Sequence, residues 1–128
     1  MALLEVADLK KSFTAPDGTR RTIIDVPQFA VEARQQVALR GESGSGKTTF
    51  LHLLAGILRP DAGRIALEGR DVAALDEAAR DRLRATTVGY IFQTFNLLQG
   101  HTCLENVLLG MAFGPGEDRA RAEALLAR

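Results

Sequence analysis

Gly41-Glu-Ser-Gly-Ser-Gly-Lys-Thr-Thr49 places three glycines, a lysine and two threonines within nine residues. Gly41-x-x-x-x-Gly46-Lys47-Thr48 matches a phosphate-binding loop at every constrained position. The glycines let successive backbone N–H groups turn inward as a concave anion nest, which a side chain at Gly44 or Gly46 would narrow. A helix starting behind the loop would add the positive end of its dipole. Lys47 offers a cation to β- and γ-phosphates, and the Thr48 hydroxyl is small and hard enough to ligate Mg²⁺. Context agrees. Gln36-Val-Ala-Leu-Arg40 reads as a strand running into the loop, and Lys47 to Leu58 repeats apolar residues on one wide helical stripe. Gly56 interrupts that stripe at about 1 kcal/mol against alanine, which points to close packing there.

Working outward, Leu3 to Leu9 alternates partly, as a strand does. Ala15-Pro-Asp-Gly-Thr19 is a turn, and Thr22 to Val26 is β-branched, so the start of the chain reads as an antiparallel hairpin. Arg59-Pro-Asp-Ala-Gly63 stops the helix, and Arg64 to Glu68 is a further strand. Asp76 to Arg84 reads as an exposed helix, with Asp76-Glu77 as its N-cap and first-turn charge. Val88-Gly-Tyr-Ile-Phe92 is continuous and apolar, the pattern of a strand buried on both faces. Leu104 to Ala112 and Asp118 to Arg128 read as helices. The order of strands and helices is that of an α/β domain.

The chain has 128 residues, 46% apolar and 25% charged, with zero formal net charge. That is one folded domain, and the balance offers no electrostatic argument for nucleic acid. No apolar run reaches bilayer length, and the N-terminus lacks the pattern of a signal peptide. Cys103, alone, forms no internal disulfide and reads as a small core residue, which suits the cytosol. His52 and His101 have no companion at metal-ligand spacing and read as structural or solvated.

The loop alone specifies a nucleoside triphosphate, not a reaction. Two other stretches narrow the class: Lys10-Lys-Ser-Phe13 at the end of the first strand, and Gln93 directly after the Val88–Phe92 run. A glutamine there lies beyond the carboxyl end of a strand, where α/β sheets bind ligands, and its amide oxygen can ligate a metal or orient a water. With L-E-V-x-D-L-x-K-S-F at 4–13, L-L-A-G-I-L-x-P-D-x-G at 53–63, G-Y-I-F-Q-x-F-N-L-L at 89–98 and Leu104-Glu-Asn-Val107 after Thr102, the chain resembles the N-terminal half of an ATP-binding cassette (ABC) transporter ATPase. Within that family it is most similar to the lipoprotein-releasing and macrolide-export type.

The resemblance implies a P-loop core with an N-terminal antiparallel β subdomain and the start of a helical subdomain. It assigns 1–93 to the ATP-binding core and β subdomain, and 94–128 to the segment after Gln93 and the helical subdomain. It implies ATP and Mg²⁺ as ligands. Phe13 would stack on adenine, where the plain alternative is an ordinary strand-end aromatic. Gly41, Glu42, Ser43, Gly44, Ser45, Gly46, Lys47, Thr48 and Thr49 would hold the triphosphate. Thr48 and Gln93 would meet Mg²⁺, and Lys47 and Gln93 would serve catalysis. Phe95, Leu97 and Leu98 suit either core packing or a partner surface. The implied partners are a transmembrane permease and a second nucleotide-binding domain, with the protein peripheral on the cytoplasmic face of the membrane.

The family's leucine-serine-glycine signature, its strand ending in Asp-Glu and its switch histidine do not occur within these 128 residues. The stretch therefore reads as a truncated cassette, expected to bind ATP and not to hydrolyse it alone. The competing readings are a non-hydrolysing ATP-binding module and a small P-loop kinase. The kinase would need an arginine-rich lid, for which Arg80-Asp-Arg-Leu-Arg84 is the one candidate, and a charged helix is usually a solvated face.

Overall fold

The computed structural model describes residues 2–94, 96–112 and 114–128, so the expectation for Phe95 lies outside the described residues. The chain divides into two compact units, Met1–Asp76 and Glu77–Arg128.

In the first unit, β1 (Leu4–Thr14) and β2 (Arg20–Val31) form the expected hairpin, both longer than their β-branched cores. The turn closes through Gly18 N–H to Ala15 O at 2.9 Å and Thr19 N–H to Asp17 Oδ1 at 2.8 Å. That backbone donor holds the Asp17 carboxyl below its ordinary value. β3 (Ala62–Leu67) and β4 (Arg70–Asp71) complete an antiparallel sheet ordered β2-β1-β3-β4. Pro27 lies within β2, which is tolerated because β2 is an edge strand.

Two irregularities shape β1. The register against β3 shifts between Ala7 and Lys10, so Asp8 and Leu9 together oppose Gly63. Asp8 takes φ 49°, and the shift turns Leu9 to the same side as Val6; both are fully buried, three positions apart instead of two. That explains the partial alternation in the sequence. Gly63 makes the bulge fit, because a Cβ there would lie 2.3 Å from Asp8 O. The second shift falls between Lys11 and Ser12: Lys11 pairs with Ile24 and Ser12 with Thr22, leaving Ile23 as the extra residue of β2.

Helix α1 (Lys47–Leu54) lies against the sheet, with Phe50 edge-on to Phe29 of β2 at 5.4 Å between ring centroids. Phe50 and Leu53 join Val6, Leu9, Ile24, Ile65 and Val72 in the core. The helix ends four residues before the expected Leu58, and the reason is local. Gly56 adopts φ +76°, Ile57 N–H returns to His52 O at 2.9 Å and Gly56 N–H to Leu53 O at 3.2 Å. This paired closure terminates the helix at its own glycine, ahead of Pro60. The packing expected at Gly56 is present: a Cβ would meet Val72 Cγ1 at 3.1 Å. Val72–Ala74 is a short 3₁₀ turn capped by Asp71, which accepts from Ala73 N–H at 3.1 Å.

The second unit holds α2 (Glu77–Thr86), α3 (Cys103–Ala112) and α4 (Arg119–Leu126). Helix α2 starts at Glu77, directly after Asp76, and has that acid in its first turn. Asp118 caps α4 by accepting from Arg121 N–H at 3.0 Å, and Ala122 of α4 is fully buried. Gly114, beyond α3, approaches the end of α2: a Cβ there would lie 2.9 Å from Ala85 O.

Three expectations are corrected. Residues 36–40 and 88–92 are not strands, and several of their apolar side chains are open to solvent: Ile91 is 97% exposed, with Val37, Leu39 and Phe92 also exposed and Val88 and Tyr90 half-buried. A parallel strand needs hydrogen-bonded neighbours, and no other strand among the described residues pairs with either segment. Cys103, expected in the core, is exposed, because it is the first residue of α3 and lies at the helix entrance.

Candidate nucleotide-binding site

The glycine loop leads straight into α1, whose N-cap is Gly46 at φ +100° with no side-chain cap. The first N–H groups of a helix have no partner within it, and the first turn of α1 carries no acidic residue. The positive end of the helix is therefore left for an external anion. Within the loop Ser45 N–H donates to Glu42 O at 3.1 Å, which tightens the turn. Gly46 needs its missing side chain, since a Cβ would come within 2.9 Å of Ile23 Cγ2 and 3.2 Å of Ile23 O. At Gly44 a Cβ meets no protein atom within 4 Å, and the backbone takes φ +80°, which favours glycine.

Lys47 folds back over the loop. Its Nζ donates to Gly41 O, to Glu42 O at 2.9 Å and to Ser45 Oγ at 3.4 Å. The ammonium thus sits above the loop's own carbonyls as a positive charge at the loop surface. Glu42, Ser43 and Thr48 are exposed and Thr49 is half-buried, so the Thr48 hydroxyl on the first helical turn is open to a ligand.

The sheet carries Phe13 to the same region. Phe13 pairs with Arg21, two residues before Ile23, the bulge residue that abuts Gly46. Two residues of strand span about 7 Å, so the ring and the loop flank one short piece of β2. The Phe13 side chain is 44% exposed, and Lys11 Nζ stands 5.6 Å from its centroid, a cation–π distance. An exposed flat ring beside a phosphate-type loop can stack on a base.

Gln93 belongs to the second unit and is exposed, in the bend that follows 88–92. The structure thus groups Phe13 with the glycine loop in one unit and holds Gln93 in the other. The segment behind Gln93 is tied to α3 by Asn106. Its Oδ1 accepts from Leu98 N–H at 2.8 Å, and its Nδ2 donates to Thr102 O at 2.9 Å and Leu98 O at 3.4 Å. Thr102 caps the same helix by accepting from Glu105 N–H at 3.1 Å. Sequence reasoning assigned Asn106 no task. The signal was present in Thr102-x-x-Glu105, a capping pattern that places the next residue one turn inside the helix.

The chain belongs to the ABC transporter family, whose model matches residues 24–128. It is similar to the lipoprotein-releasing system ATP-binding protein LolD of Pseudomonas fluorescens, 38% identical over 131 residues that cover 99% of this chain and 57% of that protein. It is also similar to the macrolide export ATP-binding/permease protein MacB of Marinobacter nauticus, 39% identical over 97% of this chain and 20% of that protein. Among solved structures, the ATP-binding cassette MJ0796, in a dimeric post-hydrolysis state bound to ADP and Pi, superposes with a TM-score of 0.87 at 25% identity, over 97% of this chain and 56% of its own. The fold is that of an ATP-binding cassette, an antiparallel sheet with helices, of which this chain is part. The chain spans about half the length of the LolD relatives it matches, 47% of one and 57% of another.

Proposed function

We propose that the chain is the ATP-binding part of an ABC transporter subunit that couples nucleotide binding and hydrolysis to transport. The observation that carries this reading is the Gly46-headed α1 with Lys47 over the loop and no acid in the first turn. Gly41 to Thr49 hold the triphosphate, Lys47 neutralises it, and Phe13 stacks on the adenine. The exposed hydroxyl of Thr48 fits a Mg²⁺ ligand, and the exposed amide of Gln93 is its companion. When bound, Mg²⁺ supplies charge neutralisation and a fixed geometry to the phosphates. Lys47 and Gln93 serve the chemistry in the assembled cassette, with residues 1–93 as binding core and 94–128 as the segment leading to the partner.

Similarity to LolD and MacB supports a lipoprotein-releasing or macrolide-export type of system, with a transmembrane permease as partner. The dimeric state of the MJ0796 cassette supports pairing of two such domains. The subunit then sits peripherally on the cytoplasmic face of the membrane. No helix among the described residues is long and apolar enough to cross one. We assign ATP binding to the 128-residue stretch itself and turnover to the assembled cassette. Calorimetric titration with Mg-ATP tests this. Binding that Lys47→Ala weakens on the order of 10–100-fold, without phosphate release, supports the reading, and an absence of ATP binding refutes it.

A further inference from the structure

Asp61 lies just before β3 begins, beside the last residues of β1, which continue past that strand. Backbone pairing between the two strands stops at Lys10 opposite Ala62. Asp61 then extends the ladder by two bonds. Its N–H donates to Lys10 O at 2.8 Å, and its Oδ2 accepts from Ser12 N–H at 2.7 Å. The side chain thus stands in for the next residue of a strand.

The same carboxylate draws in two cations. Lys11 Nζ lies 3.4 Å from Oδ1, and Arg20, from the start of β2, lies 3.5 Å from Oδ2. Lys11 Nζ is also the cation 5.6 Å from the Phe13 ring. Ser12 sits at the β1–β2 register shift, paired with Thr22. Three consecutive residues of β1 are therefore organised from one point: Lys10 through its carbonyl, Lys11 through its ammonium and Ser12 through its N–H. Phe13 is next in the chain.

We infer that Asp61 is a positioning residue for Phe13, clamping the end of β1 so that the ring is held in place to stack on a nucleotide base. Asp61 touches no ligand itself in this role. The inference rests on the reading of Phe13 as the adenine platform, and it adds a coupling. The turn that follows α1, and so the far end of the helix that begins at the phosphate loop, sets the base-binding ring.

The test compares Mg-ATP with inorganic tripolyphosphate, which carries the same phosphates and no base, on the 128-residue chain. Phe13→Ala and Asp61→Ala should each weaken ATP binding by roughly ten-fold, the scale of a lost base–aromatic stack, and leave tripolyphosphate binding unchanged. The double variant should bind ATP no more weakly than Phe13→Ala alone, because the two residues act as one unit. Asp61→Asn keeps an oxygen for Ser12 N–H and should restore affinity to within about two-fold. Should Asp61→Ala not fold by circular dichroism, Asp61→Ser, too short to reach Ser12 yet suited to a turn, is read the same way.

An Asp61 variant that loses ATP and tripolyphosphate equally overturns the assignment, since the residue would then be merely structural. An Asp61→Ala chain with unaltered ATP affinity beside a weakened Phe13→Ala overturns it as well, as does an Asp61→Asn chain as weak as Asp61→Ala. A Phe13→Ala chain that binds ATP as tightly as wild type, beside a Lys47→Ala chain that does not, overturns the adenine platform and the clamp together and leaves the phosphate reading standing.

Discussion

Gly46 and Ile23 meet across the boundary between the glycine loop and the sheet, and the contact is made by the extra residue of β2 at the Lys11/Ser12 register shift. The loop is therefore seated on a bulge. Alanine at 46 meets both Ile23 and a backbone φ of +100° that side chains disfavour. Gly46→Ala should destabilise the chain by about 1–3 kcal/mol and weaken Mg-ATP binding with it. Urea unfolding and titration calorimetry check the two effects, and a variant unchanged in both would show that the bulge does not seat the loop.

Lys47 bonds the carbonyls of Gly41 and Glu42 at the protein surface, so its value to the fold is small. Lys47→Ala should move stability by only about 0.5 kcal/mol. Its value to a triphosphate is larger: losing a charged partner of about 1.5–3 kcal/mol lowers affinity on the order of 10–100-fold. A melting curve and an ATP titration on one preparation separate these.

Gly63 opposes the Asp8–Leu9 bulge with no room for a side chain, 2.3 Å from Asp8 O to a would-be Cβ. The neighbour is backbone, which cannot swing away. Gly63→Ala should cost on the order of 3 kcal/mol, and Leu9 should lose its burial. Urea unfolding measures the loss. A change below about 0.5 kcal/mol, the range of ordinary surface substitutions, would mean the bulge relaxes freely.

Asp61 gives the chain a pH response with a definite sign. The Ser12 N–H, then the Lys11 and Arg20 charges, hold its carboxyl below the ordinary carboxylate value. A carboxyl depressed in the folded state contributes stability above its unfolded pKa and loses it as pH falls through the folded pKa. Stability should be level with respect to this group near neutrality and fall below about pH 4. Asp61→Asn should flatten that part of the acid limb, read as melting temperature against pH between 7 and 3. A wild-type and variant pair with parallel acid limbs would rule the group out.

Asn106 holds Leu98 by both its backbone groups. Asn106→Ala should cost about 1 kcal/mol and quicken hydrogen exchange at the Leu98 amide, with α4 amides unchanged. Exchange at Leu98 unaltered by the substitution would remove Asn106 as the tie.

What the sequence disclosed depended on how local its cause was. The glycine loop is legible because each position answers to its own chemistry, and the Asp17-Gly18 turn for the same reason. The bulges are not. Whether Leu9 joins Val6 in the core is decided by Gly63, over fifty residues away, and Ile23 becomes an extra residue only once Lys11 and Ser12 have chosen their partners. The end of α1 lies within reach of sequence reasoning: Gly56 reads as a packing site, and it is both that and the stop. Segments 36–40 and 88–92 show the limit from the other side. Their apolar runs have strand composition, but composition cannot supply the neighbouring strand that would make them one.

Strand β2 forms one border of the sheet, and along that border Pro27 lacks an N–H while the extra residue at Ile23 breaks the rhythm of the chain. An incoming strand from another molecule would find no continuous row of donors and acceptors there. This border resists recruitment into larger sheets through its backbone alone, with no charged guard residue required at Pro27 or Ile23.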